Sequence, residues 1–219
     1  MKDTAIFLCN RTLNAAQPWI DAGYNVVFID PQHPEGVHTE GQVTRIGHIL
    51  TDSPALAYVG ALIRANRVAF VAGFPPCTDV ALSGTRWWEA KFKKDRYFQA
   101  KAAIVAEQCR MIGELSGAPW FFENPMSAFS RIFGRPQHKF HPHQFTSLCP
   151  DDNYTKETWL WTGGGSPCRR HALTRRWGRP MTAYTSARLA TTAPTSAAQR
   201  RAASRSRCSM RTARTSSHV

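Results

Sequence analysis

The sequence predicts an open α/β sheet, mostly parallel, with helices on both of its faces. Two observations carry this. Short apolar runs of strand character alternate with stretches of helical spacing, and the first such pair of runs is joined by a short helix, as a parallel pair with a right-handed crossover requires. The pair consists of Ala5-Ile6-Phe7-Leu8-Cys9 and Asn25-Val26-Val27-Phe28-Ile29-Asp30. Between them, residues 17–23 read as a helix with Pro18 in its first turn and Gly23 at its stop.

The remaining elements follow in order. Residues 31–42, rich in His, Pro and Gly, read as a loop, and residues 43–46 as a weak strand. Leu56, Val59 and Ile63 have helical spacing ahead of a buried-strand run, Val68-Ala69-Phe70-Val71-Ala72. From Asp95 to Leu115, the residues Phe98, Ala102, Val105, Cys109 and Ile112 recur at steps of four and three, which marks an amphipathic helix on a sheet. Gly117-Ala118-Pro119 then leads into the strand Trp120-Phe121-Phe122, and residues 154–162 read as one further strand. Trp159 and Trp161 within it read as core.

Charge divides the chain. Residues 1–167 hold 16 Lys and Arg against all 15 acids, whereas residues 168–219 hold 12 Arg, no Lys and no acid. The composition predicts one catalytic domain over 1–162 and an Arg-rich tail over 163–219. The tail has no apolar periodicity, so two readings stand: a disordered basic segment, or GC-rich coding sequence read out of frame from near residues 163–168. No run approaches the ~18 uninterrupted apolar residues of a membrane span. Met1-Lys2-Asp3 leads into a strand and not into a signal peptide. Six cysteines without a repeating spacing (9, 77, 109, 149, 168, 208) fit free thiols in a reducing cytoplasm. A monomer without membrane association is expected.

The chemistry is expected at two strand ends. Gly73-Phe74-Pro75-Pro76-Cys77 follows one apolar strand, and Glu123-Asn124-Pro125 closes another. Open α/β sheets place ligands and reacting groups at the carboxyl ends of their strands. Prolines fix the angle at which the thiol is presented, and a nucleophile near a carboxylate is a catalytic pairing. The bland alternatives are a buried structural thiol at Cys77 and a helix-capping acid at Glu123. The run Arg86-Trp87-Trp88-Glu89-Ala90-Lys91-Phe92-Lys93-Lys94 interleaves rings with cations. It fits either a nucleic-acid contact or an amphipathic helix with a solvated face. His138, His141, His143 and Cys149 do not have the spacing of a common zinc site and read instead as a Pro-rich loop docked on the core, so no metal is expected. A zinc deaminase is excluded because Val80 stands where the second cysteine of its motif would fall.

Taken in order, these pieces resemble the DNA cytosine-5 methyltransferase family, in particular short phage-type members. They are the strand–helix–strand closing on Asp30, the Pro-Pro-Cys turn at 75–77, Glu123-Asn124-Pro125, and Thr155-Lys156 before a strand. The resemblance covers about residues 4–162. It implies a Rossmann-like S-adenosylmethionine-dependent methyltransferase fold and DNA as the partner, in the cytoplasm of a bacterium or a phage-infected host. It implies Cys77, Glu123 and Lys156 as catalytic residues. Phe7, Asp30, Asp52, Pro75 and Pro76 would bind S-adenosylmethionine, and Asn124, Arg86, Lys91, Lys93 and Lys94 would bind nucleic acid. The chain departs from the family pattern at four points, one of them the reduction of the family's basic base-binding motif to Lys156 with Glu157 beside it. The family's glycine-rich turn is here Leu8-Cys9-Asn10-Arg11-Thr12-Leu13-Asn14, Thr78 stands where glutamine is common, and the tail lacks the closing segments. The chain as written is therefore expected to be impaired or inactive. A nucleic-acid-binding relic of the fold and a different α/β thiol enzyme remain as alternatives.

Overall fold

In a computed structural model, the described residues are 1–166 and the two-residue strand Met181–Thr182. The two readings of the basic tail fall outside the described residues. The elements are β1 (Thr4–Leu8), α1 (Gln17–Asp21), β2 (Asn25–Ile29), β3 (Gly36–Glu40), β4 (Val43–Gly47), α2 (Ser53–Arg64) and β5 (Val68–Gly73). A 3₁₀ turn over Leu82–Trp87 follows, then α3 (Trp88–Lys94), α4 (Phe98–Ser116), β6 (Trp120–Pro125), α5 (Phe129–Ile132) and β7 (His138–Phe140). The last strands are β8 (Tyr154–Thr155), β9 (Thr158–Gly163) and β10 (Met181–Thr182), the last pairing in parallel with β8.

One eight-stranded sheet runs β3-β4-β2-β1-β5-β6-β9-β7. The five strands β4, β2, β1, β5 and β6 are parallel, while β3, β9 and β7 join by antiparallel pairings. The expected open, mostly parallel α/β sheet is therefore present. Strand order reverses direction between β1 and β5, the place where such sheets open a crevice for ligands.

Period-2 alternation sends each strand's side chains to two cores. Ile6 and Leu8 of β1, Val27 and Ile29 of β2, and Trp120 and Phe122 of β6 enter one core, which α2 covers with Ala55, Val59 and Leu62, and α4 with Ala102, Ala106, Cys109 and Ile112. Ala5, Phe7, Val26 and Phe28 enter the other, where Trp19 and Ile20 of α1 pack. Helices thus cover both faces. Trp159 and Trp161 are core residues, as expected, and Trp161 stacks on Phe122 at 4.9 Å between ring centroids.

Gly73 lets α4 lie close to β5. A β-carbon at this position would stand 2.7 Å from Cys109 Cβ and 2.8 Å from its Sγ. Burial pushes the Cys109 thiol well above its ordinary pKa, and the hydrogen-bonded thiol of Cys9 pushes in the same direction. The neutral thiol is thus the form the fold favours. The stability it lends is full below the ordinary thiol pKa and is lost as pH rises above it, with a slope of up to ~1.4 kcal/mol per pH unit. Urea unfolding between pH 8 and 11 is expected to show that loss, and Cys109→Ala to flatten it.

Three expectations need correction. Residues 31–42 are not all loop, because β3 pairs there with β4. Four of its five side chains are exposed, so an edge strand facing water shows no apolar alternation. The Pro-rich loop expected from residue 138 likewise begins with a strand, β7. Finally, Cys9, Cys77 and Cys109 are reduced thiols, but Cys149 is disulfide-bonded. No helix among the described residues is long and apolar enough to cross a membrane.

Candidate active site

Five parallel strands bring five carboxyl ends to one edge of the sheet. Asn10 follows β1, Asp30 follows β2, Asp52 lies beyond β4, Pro75, Pro76 and Cys77 follow β5, and Glu123, Asn124 and Pro125 end β6. β9 runs the opposite way and starts where the others end, with Thr158 paired to Pro125. That reversal carries Lys156 to the same edge, with its Nζ 3.4 Å from Glu123 Oε1.

The two strand ends are joined directly. Asn124, fully buried, donates from Nδ2 to the Pro75 carbonyl at 3.1 Å. The thiol-bearing turn is thus pinned to the strand that bears the carboxylate. The chain beyond the turn is held as well. Val80 and Ala81 donate backbone N–H groups to the Cys77 carbonyl at 3.1 and 2.8 Å. Leu82 N–H then reaches Met126 O, and Ala128 N–H reaches Val80 O.

The bland readings of the two central residues can now be weighed. Cys77 is half-buried, and the buried structural thiol of this fold is Cys109. Glu123 caps no helix. It lies within β6 with its side chain 11% exposed, while α5 begins after Ala128 without a side-chain cap.

The cofactor candidates divide. Asp30 is buried at the end of β2, and its Oδ1 accepts the Gln32 N–H at 2.8 Å, so Oδ2 can take hydroxyl groups. Asp52 stands before α2, accepts the Ile49 N–H at 3.1 Å, and lies 4.0 Å from His48 Nδ1. Pro75 is buried and Pro76 exposed. Phe7 is enclosed in the α1-side core, with Phe28 at 5.6 Å.

Of the nucleic-acid candidates, Arg86 lies over the exposed ring of Trp87, and Lys93 pairs with Glu89 at 2.8 Å. Lys94 is exposed. Lys91 turns inward: its Nζ binds Thr78 O at 2.9 Å and Asp79 Oδ1 at 2.6 Å, which fixes the loop just past Cys77. Among the described residues, no group of three or more His, Cys, Asp or Glu could hold a metal ion.

Two features escaped sequence reading. Cys9 has φ of 54°, the left-handed conformation that glycine adopts freely. The turn after β1 thus has a glycine-type backbone at a residue that is not glycine. Asn10 is fully buried and accepts the Thr12 N–H through Oδ1, while its carbonyl meets His33 Nε2 at 3.1 Å. Among the described residues its Nδ2 has no partner, which makes it a donor awaiting an acceptor. A polar residue directly after a buried strand was the available signal. No protein-family model matches the chain, and neither does any curated protein.

Proposed function

We propose that this protein is a DNA cytosine-5 methyltransferase-like enzyme, slowed but not silenced by its divergent tail, that attacks a flipped-out cytosine through Cys77. The observation that carries the reading is the Asn124–Pro75 hydrogen bond, which locks the Pro-Pro-Cys turn to the Glu123 strand end beside the switch point. A thiol and a buried carboxylate on a shared rigid frame suit a planar, poorly electrophilic base better than a flexible peptide.

The residues make sense of each step. C5 of cytosine is a weak nucleophile, so the Cys77 thiolate adds to C6, forming a C–S bond and making C5 enamine-like. Glu123 binds the base through N3 and the exocyclic amine and steadies the proton at N3 as electrons move into the ring. Lys156 holds the carboxylate in that orientation. After C5 has gained its substituent, loss of the C5 proton and of the sulfur restores the aromatic ring and the free thiol. Because C6 is hidden in a duplex, the base must leave the stack first.

The residues at the strand edge fit S-adenosylmethionine on two counts. Asp30 offers an oxygen to ribose hydroxyls, and the orphaned Asn10 Nδ2 offers a donor to an acceptor group. S-adenosylmethionine, when bound, supplies the electrophilic methyl group. The sheet also favours a single-nucleoside cofactor over a dinucleotide. Its first half, β1, β2 and β4, follows the order of a mononucleotide-binding unit, whereas the second half is broken by the reversed β9.

Glu123→Gln keeps the shape of the side chain and removes its negative charge. Methyl transfer to cytosine-containing DNA of mixed sequence is expected to fall by roughly 10²- to 10⁴-fold, with binding of that DNA little changed. Transfer at the parent rate in this variant would remove Glu123 from the chemistry. A non-catalytic relic would bind the same DNA without any transfer in the parent chain.

A further inference from the structure

Residues 82–97 do not divide into a buried and a solvated face as an amphipathic helix on a core would. Neither the 3₁₀ turn nor α3 contains a buried residue. Trp87, Phe92 and Tyr97 are 56%, 54% and 61% exposed. Two of these rings carry an arginine: the Arg86 guanidinium lies 5.1 Å from the Trp87 centroid, and that of Arg96 lies 5.7 Å from Tyr97. Charge is concentrated in the same stretch. Residues 86–101 hold six Lys and Arg against two acids, whereas the rest of residues 1–167 holds ten against thirteen. Without this segment the folded part of the chain would be net acidic.

Lys91, Lys93 and Lys101 pair with Asp79, Glu89 and Asp95, which leaves Arg86, Lys94 and Arg96 as the cations turned to a partner. An apolar partner would leave these three unmatched, and an acidic one would gain little from three large rings. A single strand of DNA satisfies both, because its phosphates meet the cations and its unstacked bases offer faces to the rings. A duplex hides those faces. The segment is also anchored beside the thiol. Lys91 ties it to Thr78 and Asp79, and Gln99 Nε2 donates to Asp79 O at 3.3 Å.

We propose that residues 86–101 form a binding surface for single-stranded DNA, with Trp87 and Tyr97 as base-stacking platforms that deliver unpaired cytosines to Cys77. The delivery rests on the cytosine-directed reading above, but the stacking does not. Oligothymidylate contains no cytosine, so its binding is read independently of any reaction. In fluorescence anisotropy with the full chain and labelled oligothymidylate, Trp87→Ala and Tyr97→Ala are each expected to weaken binding by about tenfold. Trp87→Phe and Tyr97→Phe should keep most of the affinity, because the ring is retained. The matching dA–dT duplex should bind more weakly than the single strand. Alanine variants that bind oligothymidylate as tightly as the parent would assign the affinity to the Arg-rich tail and overturn the proposal. A duplex bound as tightly as the single strand would overturn it too. Failure of methyl transfer with these losses intact would count against the enzymatic reading alone.

Discussion

Cys77→Ser is expected to lower methyl transfer to cytosine DNA by on the order of 10⁴-fold or more, the scale on which a catalytic nucleophile is lost. Serine fits the space, and its hydroxyl can make the contacts of a thiol. What it lacks is the acidity of a thiol, because an alkyl hydroxyl ionises far less readily than sulfur does. DNA binding should survive, because the exposed cations and rings of residues 86–101 do not depend on the sulfur. Covalent capture on DNA containing 5-fluorocytosine should disappear, since fluorine traps only an enzyme bonded at C6. A Cys77→Ser chain that still forms a covalent complex would place the nucleophile elsewhere.

Gly73→Ala is expected to push β5 away from α4 and to move the thiol-bearing turn with it. The added carbon would meet Cys109 Cβ at 2.7 Å, Cys109 Sγ at 2.8 Å and Phe122 Cβ at 3.1 Å. None of these atoms is the loose end of a flexible side chain, so β5 and α4 must separate. Overpacking of this kind costs ~1–3 kcal/mol, or about 2–4 °C of Tm for each kcal/mol in a chain of this size. The displaced strand also carries the Pro-Pro-Cys turn, so catalysis should fall by more than the folded fraction does. Cys109→Gly removes both cysteine atoms, and the double variant should therefore be more stable than the two single losses predict. Thermal unfolding of the four proteins in the cycle measures this. Strict additivity would show that Gly73 is not held to its size by Cys109.

The central strands and α4 were legible because each buries a regular pattern. Ile6 and Leu8 face one core while Ala5 and Phe7 face the other, and Phe98, Ala102, Cys109 and Ile112 follow one helix face. β3 and β7 were not legible. One is an edge strand with exposed side chains, and the other is three residues long, so neither carries a periodic signal. That Cys77 and Glu123 both lie at the carboxyl edge of the sheet could be anticipated from strand ends alone. The Asn124–Pro75 strut and the inward turn of Lys91 toward Asp79 could not, because both join residues distant in sequence. The glycine-type backbone at Cys9 was hidden for another reason. A sequence shows which residue occupies the turn, but it does not show that its backbone is left-handed.

The account turns on reversible addition of the Cys77 sulfur to cytosine C6, a step that needs no methyl donor. Once sulfur is bonded at C6, C5 accepts a proton from water, and reversal can release the hydrogen that was there before. The most direct measurement is therefore release of tritium from C5 of cytosine in mixed-sequence DNA incubated with the full chain and no S-adenosylmethionine. The account predicts steady release into water that is absent with Cys77→Ser and strongly reduced with Glu123→Gln. Parent protein that binds the DNA but releases no tritium above the protein-free rate would contradict it.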